Sequence, residues 1–214
     1  REVTFEHGGV ALCNGPQWAV DCVFRDLETA VRDGGSLDAT LVRCRFEGNQ
    51  RNWGLGATAA GIMAIDCEFG EEEDPGPHIR RWRSEDGPWQ YPRFIALRHI
   101  VVHVTDETGD PIEGALVEIA ETGGDLAAVH HGAAKTGADG RTPAADERGA
   151  LLVTDYTHSA TDDVPEPDSR DCRIESTEYR YVMRVTANGY RDSTVADVDP
   201  DESWSESAVE MQVR

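Results

Sequence analysis

Val20-Asp21-Cys22-Val23-Phe24, Val42-Arg43-Cys44-Arg45-Phe46 and Ile65-Asp66-Cys67-Glu68-Phe69 are three copies of one pattern. Their phenylalanines lie 22 and 23 residues apart, and a weaker copy, Val3-Thr4-Phe5, precedes the first by 19. Within each copy the apolar residues fall on alternate positions. That is the period of a β-strand, whose successive side chains point to opposite faces. Val20, Cys22 and Phe24 are therefore expected inward, Asp21 and Val23 outward. Gly34-Gly35 and Gly54-Leu55-Gly56 punctuate the intervals as turns.

Strands recurring every 22 to 23 residues suit a right-handed parallel β-helix, in which each coil lays its strand on the one before at a spacing of ~4.8 Å. Equivalent residues then form ladders. The expected inward ladders are Val20/Val42/Ile65, Val3/Cys22/Cys44/Cys67 and Phe5/Phe24/Phe46/Phe69. The outward ladder runs Glu2, Asp21, Arg43, Asp66, with Arg43 between two carboxylates and Arg45 beside Glu68 as a second opposite-charge pair. Residues 1–70 resemble the closing coils of the pectate-lyase-like β-helix superfamily. The resemblance implies a polysaccharide-cleaving enzyme, a viral tailspike or a surface adhesin. An open first coil exposes strand edges, so further coils are expected upstream of Arg1, which follows neither an initiator Met nor a signal peptide.

From Arg98 the pattern changes to short strands parted by turns. His99 to Thr105 and Ile112 to Ile119 flank Asp106-Glu107-Thr108-Gly109-Asp110-Pro111. Thr136-Gly137-Ala138-Asp139-Gly140, a strand from Ala150 to Thr154, alternation through Tyr179, Tyr181, Met183 and Val185, and the turn Asn188-Gly189-Tyr190 follow, before a closing strand through Val209, Met211 and Val213. About seven such strands indicate an antiparallel sandwich. The order Asp106-x-x-Gly109-x-Pro111-Ile112-x-Gly114-Ala115-x-Val117, then Thr136-x-x-Asp139-Gly140, then Ala187-x-Gly189-Tyr190 resembles the carboxypeptidase regulatory-like family. That resemblance implies a folding, spacing or interaction module without catalytic residues of its own. The expected fold is thus all-β: right-handed parallel β-helix coils at 1–70, a connector at 71–97, and a seven-stranded antiparallel β-sandwich at 98–214.

Acidic residues outnumber basic ones by 41 to 20, a formal charge of −21, and Lys135 is the single lysine. Nothing offsets repulsion from phosphates, so nucleic acid is not an expected partner. Such a surface repels itself in dilute buffer and is screened at molar salt, where the Debye length is ~3 Å. Adaptation to high salt is the expectation. No run of ~18 apolar residues is present, so no membrane span is expected.

Candidate sites are few. Trp82, Trp89 and Tyr91 in the connector fit a stacking platform for sugar rings, or a cover for the last coil, and the large area an aromatic ring buries favours the cover. In the loop from Tyr156 to Cys172, Asp162, Asp163, Glu166 and Asp168 are hard oxygen ligands and the candidate calcium site, without the spacing or fixed glycine of an EF-hand. No other cofactor is expected. His99 and His103 share a strand face ~13 Å apart and so do not converge on one metal. Cys22, Cys44 and Cys67 act as small hydrophobes, while Cys13 and Cys172 remain for a pairing that the odd total of five does not favour. Asp26, Asp33, Glu47 and Arg51 lie in turns and are not distinguished from solvated charges.

The first expectation is therefore a non-enzymatic structural or adhesion component, extracellular on a cell surface or virion, without catalytic residues in this chain. It meets a protein or glycan partner and forms a homo-oligomer, with a trimer suggested by the tailspike resemblance. The alternative is the C-terminal part of a polysaccharide lyase or glycoside hydrolase whose site lies on upstream coils.

Overall fold

The computed structural model of the protein describes residues 3–13, 17–33, 39–55, 61–69, 78–79, 93–122, 131–145, 147–160, 174–200 and 207–212. The chain is all-β, with parallel sheets and one antiparallel sheet. It divides into two units. The first comprises Arg1–Ala96 and Tyr156–Thr177, the second Leu97–Asp155 and Glu178–Arg214.

In the first unit the chain visits three sheets in turn and repeats the circuit. The first pass is β1 (Val3–Glu6), β2 (Val10–Cys13) and β3 (Gln17–Val20); the second is β4 (Cys22–Arg25), β5 (Thr29–Asp33) and β6 (Ala39–Val42). The third is β7 (Arg45–Glu47), β8 (Trp53–Leu55) and β9 (Gly61–Ile65), and the fourth is β10 (Glu68–Phe69), β11 (His78–Ile79) and β12 (Arg93–Ile100), whose last four residues lie in the second unit. Like strands pair in parallel across passes. The first sheet orders β1-β4-β7-β10, the second β2-β5-β8-β11, and the third begins β3-β6-β9-β12. The third continues through β16 (Leu151–Ala160) and β17 (Ile174–Glu178), so the segment read as a loop of the C-terminal sandwich supplies strand to this sheet.

Registers match the repeat. Phe5 lies opposite Phe24, Phe24 opposite Phe46 and Phe46 opposite Phe69. Their rings stack at 5.2, 4.9 and 5.2 Å. Phe69 meets Phe94 edge-on at 6.2 Å, and Phe94 contacts Tyr156 at 5.7 Å. Ala19, Leu41 and Ala64 line the same core with Cys22, Cys44 and Cys67, none of the three in a disulfide.

Several side-chain expectations fail here, and Val3, expected inward with the cysteines, is exposed. Val20, Val42 and Ile65 are only half-buried, and the inward column is Ala19/Leu41/Ala64. The cause is a left-handed residue after each of these strands: Asp21, Arg43 and Asp66 have φ of 54°, 49° and 51°. Each bends the chain between the third and first sheets, so alternation does not run through the five-residue motif. A second corner recurs at His7, Asp26 and Gly48, with φ of 52°, 52° and 61°. Backbone pairing survives the bends, since Asp21 N donates to Val42 O at 3.0 Å and Arg43 N to Ile65 O at 2.8 Å. Asp66, expected outward, is buried, and so is Val23, although Val23 is not part of the core cluster.

The second unit has its own core around Ile100, Val104, Val117, Ile119, Tyr181 and Met183. An antiparallel sheet orders β15 (His131–Lys135), β14 (Leu116–Glu121), β18 (Tyr181–Thr186) and β19 (Ser193–Val198). β13 (Val102–Asp106) and β20 (Ser207–Met211) form a separate pair, and it is parallel, unlike the antiparallel arrangement expected throughout. About a hundred residues separate these strands, far more than the dozen a parallel crossover needs, so no hairpin dictates their direction. Ala115 and Val117 are fully buried. Gly140 has φ of 75°, and a Cβ there would lie 2.6 Å from the Val104 carbonyl oxygen, so only glycine fits this turn.

Candidate functional site

The sequence candidates Trp82, Trp89 and Tyr91, and Asp162, Asp163, Glu166 and Asp168, lie outside the described residues, as does Cys172. Among the described residues, no group of three or more His, Cys, Asp or Glu side chains is arranged to hold a metal ion. His99 and His103 fall on different strands, β12 and β13, rather than on one strand face.

What the fold does assemble is two outer columns of opposite character on the first unit. On the first sheet, Arg25 donates from Nε to Glu47 at 2.7 Å and from an NH group to Glu6 at 3.0 Å. Arg45 donates from Nε to Glu68 at 3.0 Å and also lies 3.9 Å from Glu47. Acid and base therefore alternate through Glu6, Arg25, Glu47, Arg45 and Glu68 across four stacked strands. Glu47, read as a turn residue, is the last residue of β7 and the centre of this network. At the corner beside it, Arg43 grips both oxygens of Asp21 at 2.7 and 3.1 Å, and this hydrogen bond holds the Asp21 carboxyl below its ordinary value. A guanidinium at that distance keeps a carboxylate ionised, the reverse of what a general acid requires.

The third sheet presents a different surface. Its outward positions on β3, β6 and β9 are in register: Trp18 beside Thr40 beside Met63, and Val20 beside Val42 beside Ile65. None is charged. Trp18 is 75% exposed and Met63 37%, while the other four are half-buried. Sequence inspection missed this face because Trp18 and Met63 lie outside the five-residue motif, and the valines were assigned to the core.

Three buried polar arrangements were also not anticipated. Asn49 accepts from Leu27 N at 3.0 Å and donates to Phe24 O and Asn52 Oδ1, each at 3.0 Å, filling a corner where the backbone lacks ladder partners. His158 is buried, contacts Phe94 at 5.9 Å and Tyr156 at 5.1 Å, and pairs through Nδ1 with the Ser176 hydroxyl at 2.6 Å. That pair joins neighbouring strands β16 and β17 at the end of the aromatic column. In the second unit Arg98 donates to Asp155 at 3.2 Å, both side chains nearly enclosed.

Comparison with protein-family models, with curated proteins and with solved structures returned no match.

Proposed function

We propose that this chain is a non-enzymatic extracellular structural and adhesion component, borne on a cell surface or virion and adapted to high salt. In this reading the first unit is a stalk of right-handed parallel β-helix coils, and the second is a carboxypeptidase regulatory-like sandwich that spaces the assembly or meets a protein or glycan partner. The observation that carries it is the four-fold circuit through three parallel sheets, with phenylalanines stacked at ~5 Å spacing. Such a circuit builds length and stiffness. The outer charges of its first sheet are engaged with one another as opposite-sign pairs, the arrangement of a solvated wall.

The test combines melting and turnover. Thermal unfolding followed from dilute buffer to about 3 M KCl should show stability rising with salt. Incubation with acidic and neutral polysaccharides should release neither unsaturated products nor reducing ends. A chain most stable in dilute buffer would remove the halophilic part of the reading, and steady turnover would replace the structural role with a depolymerising one.

A further inference from the structure

The core of the first unit is filled by Ala19, Leu41 and Ala64 from one side of the third sheet, and the neutral outward face lies on the other. We propose that it is a self-association surface, on which a second copy of this chain packs stripe against stripe through Trp18, Val20, Thr40, Val42, Met63 and Ile65. The proposal rests on the structural reading above and deepens it by naming the face through which copies meet.

Three observations select a second copy as the occupant. The first is charge. Each chain carries −21, so two copies approaching through most faces would press carboxylates together. This face has no charged residue over three consecutive strands, whereas the outer rows of the first sheet carry Glu6, Arg25, Glu47, Arg45 and Glu68. The second is pitch. The stripe runs along the stacking direction with one side chain per strand every ~4.8 Å, and any second copy carries a stripe of identical spacing. Interdigitation then persists over the full length, as an isologous contact requires. The third is exposure: a tryptophan 75% open to solvent beside an exposed methionine is surface that water disfavours and that tight partners commonly cover.

Area sets the strength. Six side chains on three strands offer about half of the ~800 Å² per partner typical of a stable complex, the size class of weak, transient association. Salt sets the conditions, because screening of the −21 charges lets the faces meet.

Sedimentation velocity on the 214-residue chain, from about 10 µM to about 1 mM in about 3 M KCl, should show reversible, concentration-dependent association that weakens in dilute buffer. Thr40→Glu, at the centre of the stripe, should raise the dissociation constant about 100-fold or more with an unchanged circular dichroism spectrum. Thr4→Glu, at an exposed position on the first sheet, should leave it unchanged. Hydroxyl-radical labelling of Trp18 and Met63 in the unsubstituted chain gives a reading that needs no variant, and should fall as the chain associates. A monomer across the whole range overturns the proposal. So does association indifferent to Thr40→Glu, or labelling that does not change on association. A monomer in which only added oligosaccharide protects Trp18 assigns the face to a sugar and also overturns it. A monomer without polysaccharide turnover would end this inference while leaving the structural reading standing, and an oligomer sensitive to Thr40→Glu that turns over polysaccharide would do the reverse.

Discussion

Asp21, Arg43 and Asp66 show how a single backbone angle redirects a repeat. Asp tolerates the left-handed region because its short polar chain bonds locally, but arginine does not favour it, and nothing about Arg43 reads as a turn. The 22-residue period was visible in the sequence; the bend inside each copy was not. The same corner yields a pH prediction. The Arg43 hydrogen bond lowers the Asp21 pKa from its ordinary 3.8, so the folded chain binds fewer protons there than the unfolded one. Its contribution is present above the unfolded value and is lost as pH falls through the folded value. Asp21→Asn should therefore differ slightly from wild type at pH 7, because both partners are about half exposed, and the difference should vanish on acidification. Urea titrations across that range measure it, and a gap that widened toward low pH would contradict the pairing.

Among the elements, the phenylalanine column was legible because identical residues recur at one spacing. Phe46 is fully buried and stacked on both sides, while Phe5 at the column's end is only partly buried. Phe46→Ala should cost about 3–5 kcal/mol and Phe5→Ala clearly less, measured as shifts in the unfolding midpoint of the first unit. Equal costs would mean that the column does not act as a stack. The Asn49 corner was not legible, since an asparagine between glycine and glutamine looks like an ordinary turn. Its side chain meets the Leu27 N–H and the Phe24 carbonyl inside the fold, so Asn49→Ala should cost about 2–3 kcal/mol by leaving both without that partner. In the second unit the Gly109 and Gly140 turns follow from sequence, with φ of 86° and 75°. Gly140→Ala should cost about 2–3 kcal/mol, because the new Cβ meets backbone that cannot give way.

For the whole molecule the dominant quantity is the charge of −21. Salt acts on it in two directions, screening the repulsion among excess carboxylates and also weakening the exposed pairs of Arg25, Arg43 and Arg45. The exposed pairs contribute little each, whereas uncompensated repulsion acts over the entire surface, so the net sign is stabilising. The melting temperature should rise by about 10 °C between dilute buffer and about 3 M KCl. Sucrose at matched osmolality gives the control: an equal rise there would trace the effect to exclusion from the surface rather than to charge.

The sequence by itself determined that the chain is all-β, that one half repeats and the other does not, and which phenylalanines and cysteines stack, because periodic burial is written directly into residue order. It also determined the charge and hence the expected response to salt. Only the tertiary structure decided which of two adjacent apolar positions turns inward, since a left-handed corner residue shifts alternation without changing composition. It alone assigned Tyr156–Thr177 to the first unit and made the β13–β20 pair parallel, because such pairings join residues too distant in sequence for any local pattern to record. And it alone gathered Trp18, Thr40 and Met63 into one neutral stripe, since three residues scattered along the chain become neighbours only when its strands stack.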